Sequence, residues 1–514
     1  MFDLGRSFLA AVERRPNAIA ITDGEFRLSY EQWFAEIQQI AHGLESLGLV
    51  KGDRLLVVMQ NRWQMATLHW ACQFAGIIIT PLNWRSTAEE VGYCIDDAEP
   101  RALAYDDAAA EAVLGCAQAG NLQRIAVGET GDDGALSYAA LNAEAPAQII
   151  LRADADDYSL MLYTSGTTSK PKGVPRRHRA ERAAGIAHVV QNLYRQGERT
   201  LGVMPLYHTM GVRSLLSMAL IDGCFVCVPK FDVEATLQAI EREQVSNLYL
   251  VPTLYHMLIE HAGFSHGRVR SVKKIGFAGA PMSAGLMARV EQAFQPSLFV
   301  NHYGSSEIYT FTIDQQASLK PGSSGRSGLN QRIRVVPINA ISPGSHVRPL
   351  EEGQIIADVS SDEAFEGYWN RPDADAKSLR EGWYFTGDTG YFDSNGDLFV
   401  TGRVDDMINT GGENVSPAEI ENLLSLHPKV EEVAVVGLPD EQWGQIIAAY
   451  IKAREPIDEK ELDKHCLASS LASFKRPRRY LFIDEIPKSP VGKILKRMLR
   501  ASPNSQDSST TTNP

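Results

Sequence analysis

No run of about 18 or more apolar residues occurs in this chain of 514 residues, so no membrane-spanning helix is expected. The opening residues, Met1 to Arg6, lack a basic stretch leading into an apolar one, and no secretory signal is predicted. Cysteine is scarce: Cys72, Cys94, Cys116, Cys224, Cys227 and Cys466 are scattered, the usage of a reduced, cytoplasmic protein. Cys224 and Cys227 have CxxC spacing but lie in the apolar run Cys-Phe-Val-Cys-Val. Alternation along a strand puts their thiols on opposite faces, which argues against a metal or redox pair. Positive charge is in deficit, with 50 Lys and Arg against 63 Asp and Glu, a net charge of −13 and a pI near 5.5. That balance excludes bulk nucleic-acid binding but leaves room for a local basic site that holds a polyanion. No short internal repeat is visible.

What is present is a soluble globular composition, 44% hydrophobic and 22% charged. Length alone suggests about three domains. Strand-like and helix-like segments alternate. Arg54–Met59, Gly76–Thr80, Tyr158–Tyr163, Gln244–Pro252 and Lys273–Ala278 read as strands, and Arg62–Phe74 as a helix. This is an α/β pattern with partly parallel sheets. After Arg403 the pattern changes to a helix at Ala418–Leu424, strands at Val430–Gly437 and Gln445–Lys452, and a helix at Asp458–Ser470, which suit a small α+β domain. The expected division is a large N-terminal domain of mixed α/β sheets over 1–404 and a small, mobile C-terminal α+β domain over 405–500. The Ser-, Thr- and Asn-rich tail 501–514 is expected to be disordered.

The most informative stretch is 163–173, Tyr-Thr-Ser-Gly-Thr-Thr-Ser-Lys-Pro-Lys-Gly. Glycine lets backbone N–H groups approach an anion, and the hydroxyls and ammonium groups add donors. Such a loop after an apolar strand suits a polyphosphate. It lacks the glycine–lysine–hydroxyl order of a Walker loop. Four distant segments accompany it: Asn-His-Tyr-Gly-Ser-Ser-Glu at 301–307, Gly-Trp-Tyr-Phe-Thr-Gly-Asp at 382–388, Gly-Arg-Val-Asp-Asp-Met-Ile-Asn-Thr-Gly-Gly-Glu-Asn at 402–414, and Pro-Lys-Ser-Pro-Val-Gly-Lys at 487–493.

In their order and separation these segments resemble the acyl- and aryl-CoA synthetases of the adenylate-forming superfamily, which also includes luciferases and peptide-synthetase adenylation domains. The resemblance extends to about Arg500. It implies an AMP-forming carboxylate–CoA ligase: ATP converts a carboxylate to an acyl-AMP, releasing pyrophosphate, and the thiol of coenzyme A then displaces AMP. By this resemblance Thr164, Ser165, Gly166, Thr167, Thr168 and Lys172 hold the β- and γ-phosphates, and Ser169 replaces a glycine common in the family. Glu307 matches the carboxylate that binds Mg²⁺, although a glutamate at a helix N-terminus would read the same way. Tyr303 would stack on adenine, with Gly279, Ala280 and Pro281 on its other face. Asp388 would receive the ribose hydroxyls, and Arg403 would lie near ribose and phosphate. Lys493 would stabilise the charge that develops at the α-phosphate during adenylation.

The resemblance also implies a C-terminal domain that rotates between the two half-reactions about Asp405. Gly411 and Gly412 would border the pantetheine tunnel, although a glycine turn ahead of a helix capped by Ser416 reads equally well. Lys475-Arg476-Pro477-Arg478-Arg479, with Trp443 and Phe474, would dock the phosphates and adenine of coenzyme A. This run is similar to that of the chlorobenzoate–CoA ligases in particular, and it weighs against a carrier-protein-loading enzyme. Met204-Pro-Leu-Tyr-His208 resembles the aromatic-acid ligases, where the histidine lies near the reacting carboxylate. Candidate walls of the acyl pocket are His208, Thr209, Met210, Gly211, Pro252, Ala278, Gly279, His302, Gly304, Tyr309 and Thr310. The bulk of His302 and Tyr309 favours a compact aromatic acid with a polar substituent. The alternatives are a medium-chain fatty acid and loading of a carrier protein. The resemblance is compatible with a homodimer.

Overall fold

The computed structural model describes residues 2–142, 146–164, 170–469, 471–488 and 494–500. The apolar runs build two large sheets. One has seven strands, in the spatial order Leu136–Ser137, Gln123–Val127, Ala102–Asp106, Arg54–Val58, Ile78–Leu82, Tyr158–Thr164 and Lys172–Arg177. All neighbours are parallel except the last pair. Ile78–Leu82 and Ala102–Asp106 are buried at every position, as parallel strands covered on both faces require. The other sheet has nine strands. Its parallel centre runs through Leu298–Tyr303, Lys274–Phe277, Asn247–Leu250, Arg199–Gly202, Cys224–Cys227 and Ile19–Asp23, with antiparallel strands at its edges.

One core joins the sheets. It takes Val57 and Ile79 from the first and Ile21, Phe225 and Cys227 from the second, and it includes residues of the helices Trp63–Ala75 and Thr209–Leu220. Both helices are buried over most of their length. Cys224 joins the core on the other side of the nine-stranded sheet. The two thiols therefore part as alternation requires, and among the described residues no cluster of three or more His, Cys, Asp or Glu is arranged for a metal.

A five-stranded antiparallel sheet follows, containing Trp383–Phe392 and Leu398–Arg403. Beyond it, residues 408–499 carry their own cores around the three-stranded sheet Val430–Asp440, Gly444–Ala453 and Arg479–Phe482, and the helices Pro417–Ser425 and Glu459–Leu467.

Several expected boundaries shift for local reasons. Gly76, at φ +73°, ends the preceding helix, so its strand begins at Ile78. Gln244 is a left-handed helix cap and Pro252 opens a new helix, which trims the strand between them to Asn247–Leu250. Asp458 is not helical but caps the next helix by accepting from the Glu461 N–H at 2.8 Å. Ser416 is the residue before Pro417, as expected, yet its side chain makes no helix cap; the hydroxyl donates to the carbonyl of Thr401 and ties the helix to the strand Leu398–Arg403.

Arg176, on the edge strand Lys172–Arg177, is fully buried. Its Nε donates to Glu181 Oε1 at 2.6 Å, and Nη1 donates to the carbonyls of Glu307 at 2.9 Å and Glu363 at 2.7 Å. The guanidinium lies 4.0 Å from the centre of the Tyr309 ring, whose hydroxyl donates to Glu181 Oε2 at 3.1 Å. Arg176→Met would strand a buried carboxylate and two carbonyls. It is expected to lower stability by about 3–5 kcal/mol, read from urea unfolding; a loss under about 1 kcal/mol would contradict a paired buried charge.

Candidate active site

Tyr303 ends its strand and donates its hydroxyl to Asp388 Oδ2 at 2.7 Å. Arg403 Nη1 donates to Asp388 Oδ1 at 2.6 Å from the directly opposed position on the neighbouring strand. Gly387 makes this approach feasible: it sits at φ +76°, and a Cβ there would come within 2.8 Å of Arg403 Nη2. Burial, then the charge of Asp388, pushes the Tyr303 phenol well up, so it stays a donor. Both carboxylate oxygens of Asp388 are engaged once, and each retains capacity for a further donor. Gly279, Ala280 and Pro281 form the turn leaving Lys274–Phe277. A Cβ on Gly279 would meet Val251 at 3.3 Å and Met210 Sδ at 3.8 Å, which puts the helix start at 209–210 beside this turn.

Four residues along the chain from Tyr303, Glu307 is 6% exposed in a loop, not at a helix N-terminus, so the helix-dipole reading falls away. Its Oε1 accepts from the Tyr368 hydroxyl at 2.7 Å. Lys172 Nζ lies 3.9 Å from the centre of the same Tyr368 ring. Thr164 and Lys172 are paired across the antiparallel strands that the 163–173 loop connects. The expected phosphate ligands Ser165, Gly166, Thr167 and Thr168 lie outside the described residues, as do Lys493 and the tail 501–514. A single buried carboxylate with one oxygen already taken suits one ligand position on a cation whose other positions come from phosphate and water.

Of the residues expected to line the acyl pocket, His208 caps the helix Thr209–Leu220, its Nδ1 accepting from the Met210 N–H at 3.3 Å. Thr209, Met210, Pro252 and Ala278 are buried nearby in the chain's fold, and Gly304 is exposed beside Tyr303. Gly211 is tightly packed: a Cβ would lie 2.2 Å from the Pro205 carbonyl. The Tyr309 phenol donates to Glu181, and its ring lies under the Arg176 guanidinium. His302 is buried against Tyr249 and His188, with ring centres 5.0 and 5.3 Å away, and its Nε2 lies 3.1 Å from Asn192 Oδ1. Thr310 accepts from Arg213 Nη1 at 2.7 Å. Arg176, Arg213, Tyr249, Asn192 and Tyr368 carry no motif, and the sequence offered no signal for them.

In the C-terminal region Gly411 and Gly412 form the two-residue turn of the hairpin Ile408–Thr410 and Glu413–Val415, at φ +62° and +88°. The glycine-turn reading therefore holds. The Gly411 N–H also donates to the Trp443 carbonyl at 2.9 Å, and a Cβ would stand 2.9 Å from the indole. Arg478 covers Trp443 at 4.2 Å from the ring centre. The expected cationic dock is partly neutralised within the domain, since Lys475 pairs with Glu419 at 2.6 Å and Arg476 with Asp463 at 3.2 Å. Phe474 is 44% exposed, and Arg479 begins the strand Arg479–Phe482. Asp405 lies in the single turn Val404–Asp406 between the two regions.

Comparison with known proteins gives two family matches: AMP-binding enzyme over residues 8–369, and AMP-binding enzyme C-terminal domain over 419–493. The chain is similar to a 4-chlorobenzoate–CoA ligase of Arthrobacter, 32% identical over 509 residues that cover 95% of this chain and 93% of the relative. A feruloyl-CoA synthase of Amycolatopsis is 32% identical over 493 residues, covering 94% and 96%. Among solved structures, an anthranilate–CoA ligase in complex with anthranoyl-AMP superposes with a TM-score of 0.90 at 25% identity, covering 97% of each chain.

Burial is the main influence on Lys172 and lowers its pKa from the ordinary 10.5, with Glu307 opposing. The folded chain therefore binds this proton less readily than the unfolded chain, and stability rises with pH between the lowered value and 10.5. Urea titrations at pH 7 and pH 10 should show the wild type gaining stability relative to Lys172→Met as the pH rises. A constant difference would place the ammonium in a solvated environment.

Proposed function

The chain belongs to the AMP-binding enzyme family, and from this membership and the site we infer an ATP-dependent carboxylate–CoA ligase that works through an acyl-AMP. The observation that carries this reading is the short loop from Tyr303 to Glu307. It joins a carboxylate–arginine pair suited to ribose, Asp388 with Arg403, to a carboxylate and a lysine suited to a cation and phosphate, Glu307 and Lys172, which both contact Tyr368. Nucleoside and triphosphate ends are thus linked by one stretch of backbone.

In this reading the N-terminal domain, 1–404, activates the acid. Tyr303 and the turn Gly279-Ala280-Pro281 flank adenine, Asp388 binds the ribose, and Arg403 reaches the ribose and α-phosphate. Thr164, Lys172 and the loop 165–168 clamp the leaving pyrophosphate. Glu307 would hold Mg²⁺, which when bound screens the phosphate charge. Lys493 stabilises the adenylation transition state. His208, held as a helix cap beside the Gly279 turn, orients the reacting carboxylate. The domain 405–500 then turns about Asp405 and brings Gly411, Gly412 and the basic surface of Arg476, Arg478 and Arg479 with Trp443 and Phe474 to coenzyme A. The acid is a compact aromatic one, a choice supported by His302 and Tyr249 at the acyl end and by the chlorobenzoate and feruloyl relatives. The six cysteines are unpaired thiols, in keeping with a cytoplasmic enzyme.

Release of pyrophosphate and AMP, with and without coenzyme A, over a panel of benzoates and medium-chain fatty acids tests the reading. Benzoates should support the faster release, and a preference for fatty acids would overturn the aromatic assignment. Lys493→Ala is expected to lower acyl-AMP formation by at least about a hundredfold while sparing thioester formation from supplied acyl-AMP. Equal loss in both steps would remove Lys493 from its role. Asp405→Pro should slow the thioester step far more than adenylation, and equal rates in both would leave the hinge elsewhere.

A further inference from the structure

Residues 365–369 form an irregular segment that is fastened at its two ends to the two stretches carrying Glu307 and Lys172. At one end the Phe365 N–H donates to the Glu307 carbonyl at 2.9 Å. At the other the Trp369 N–H donates to the carbonyl of Gly173, the neighbour of Lys172, also at 2.9 Å. Gly173 lets the segment come this close, since a Cβ there would stand 3.0 Å from Trp369 Cβ. The Trp369 indole adds a further tie, Nε1 donating to the Asp97 carbonyl at 3.1 Å. Tyr368 lies between these ends, and its own N–H donates to Asp375 Oδ1 at 2.8 Å, on the helix Pro372–Ser378.

The Tyr368 side chain, buried, meets the side chains of the same two residues. Its hydroxyl donates to Glu307 Oε1 at 2.7 Å, and its ring centre lies 3.9 Å from Lys172 Nζ. A phenol has one hydrogen to give, and an ionised carboxylate only accepts. The Tyr368 hydrogen is therefore spent on Glu307, and in the 3.4 Å contact between the Tyr368 and Tyr384 hydroxyls it is Tyr384 that donates. Tyr384 belongs to the strand Trp383–Phe392, which also carries Asp388. Glu307 Oε2 and Lys172 Nζ make no hydrogen bond or ion pair with a described residue. The carboxylate is thus held by a hydroxyl and the ammonium by a ring face, and both belong to one side chain.

We propose that Tyr368 is the positioning residue of the phosphate end: its hydroxyl fixes one oxygen of Glu307 and leaves the other for a nucleotide-bound divalent cation, while its ring holds the Lys172 ammonium for the phosphates. A carboxylate in place of the ring would hold the lysine but cancel the charge that a phosphate needs, whereas a ring face attracts the ammonium and leaves it cationic. A hydrogen bond that orients a ligating carboxylate is worth about 10- to 100-fold in metal affinity or activity. The proposal rests on the ATP-dependent reading of the site and adds to it a residue that acts through Glu307 and Lys172 by two separable contacts.

The test is the Kd of ATP for the full chain by titration calorimetry, without acid, once with saturating Mg²⁺ and once with EDTA. Mg²⁺ should tighten ATP binding to the wild type. Tyr368→Phe keeps the ring, so it should bind metal-free ATP within about twofold of the wild type and ATP with Mg²⁺ about tenfold more weakly. Tyr368→Leu loses the ring as well and should also weaken metal-free ATP, by about threefold. If Tyr368→Leu does not fold, Tyr368→Met is read in the same way. Equal weakening with and without Mg²⁺ in Tyr368→Phe, the pattern of a residue that only supports the fold, overturns the proposal. So does wild-type binding in both variants, or metal-free binding by Tyr368→Leu that matches Tyr368→Phe. Each of these leaves the nucleotide reading standing. A wild type that binds no ATP, or binds it with no dependence on Mg²⁺, overturns the reading of the site itself.

Discussion

The guanidinium of Arg176 holds three separate stretches of chain at one point. It meets Glu181 on the following helix, and it anchors the carbonyls of Glu307 and Glu363, from loops more than a hundred residues further on. Because Arg176 sits on the strand Lys172–Arg177, the anchored carbonyl of Glu307 is fixed relative to Lys172 four residues earlier on the same strand. The Phe365 N–H also donates to that carbonyl at 2.9 Å, which carries Tyr368 into place against the Glu307 side chain. A buried ion pair of this kind adds little net stability compared with an apolar substitute. What it adds here is position: Glu307 and Lys172 are oriented by backbone contacts, so their side chains stay available to a ligand.

The same economy marks the buried cluster around Arg213. The helix Thr209–Leu220 is buried between two sheets, yet it bears Arg213, and the strands opposite bear His302 and Tyr249. Burial raises the pKa of the Glu363 carboxyl, with Arg213 and Arg176 opposing, so the interior is polar over a continuous region from the ion pair to the imidazoles. Tyr309 touches both zones: its ring centre lies 4.0 Å from the Arg176 guanidinium and 5.7 Å from that of Arg213, and its hydroxyl donates to Glu181.

The fold was legible in the sequence wherever apolar runs were bounded by glycine or proline. Tyr158–Thr164 and Arg54–Val58 were found almost to the residue, and the separation of Cys224 from Cys227 followed from alternation alone. Boundaries failed where a non-glycine residue took a left-handed cap, as Gln244 does at φ +50°, since nothing in its side chain announces it. The motif residues Tyr303, Glu307, Asp388 and Arg403 were legible because each sits in a distinctive short segment. Arg176, Arg213 and Tyr368 were not, because one arginine in a strand or helix looks solvated until its neighbours are known. The partial neutralisation of the basic run was also invisible: Glu419 and Asp463, which pair with Lys475 and Arg476, come from two other segments.

The strand Leu398–Arg403 shows how the Asp388–Arg403 pair and the C-terminal region are joined. Its last residue, Arg403, is paired with Asp388, and the next three residues are the turn Val404–Asp406. Asp406 in turn pairs with Arg500 at 2.7 Å, on the last described helix of the C-terminal region. Thus the Asp388–Arg403 and Asp406–Arg500 pairs stand on either side of Asp405, with only two residues between Arg403 and Asp406. Asp406 and Arg500 both lie beyond Asp405, so the rotation proposed above would carry their pair as one body, while Arg403 stays in register with Asp388 across its sheet. Neither contact has to break, so such a rotation needs a backbone change only in the short turn between them.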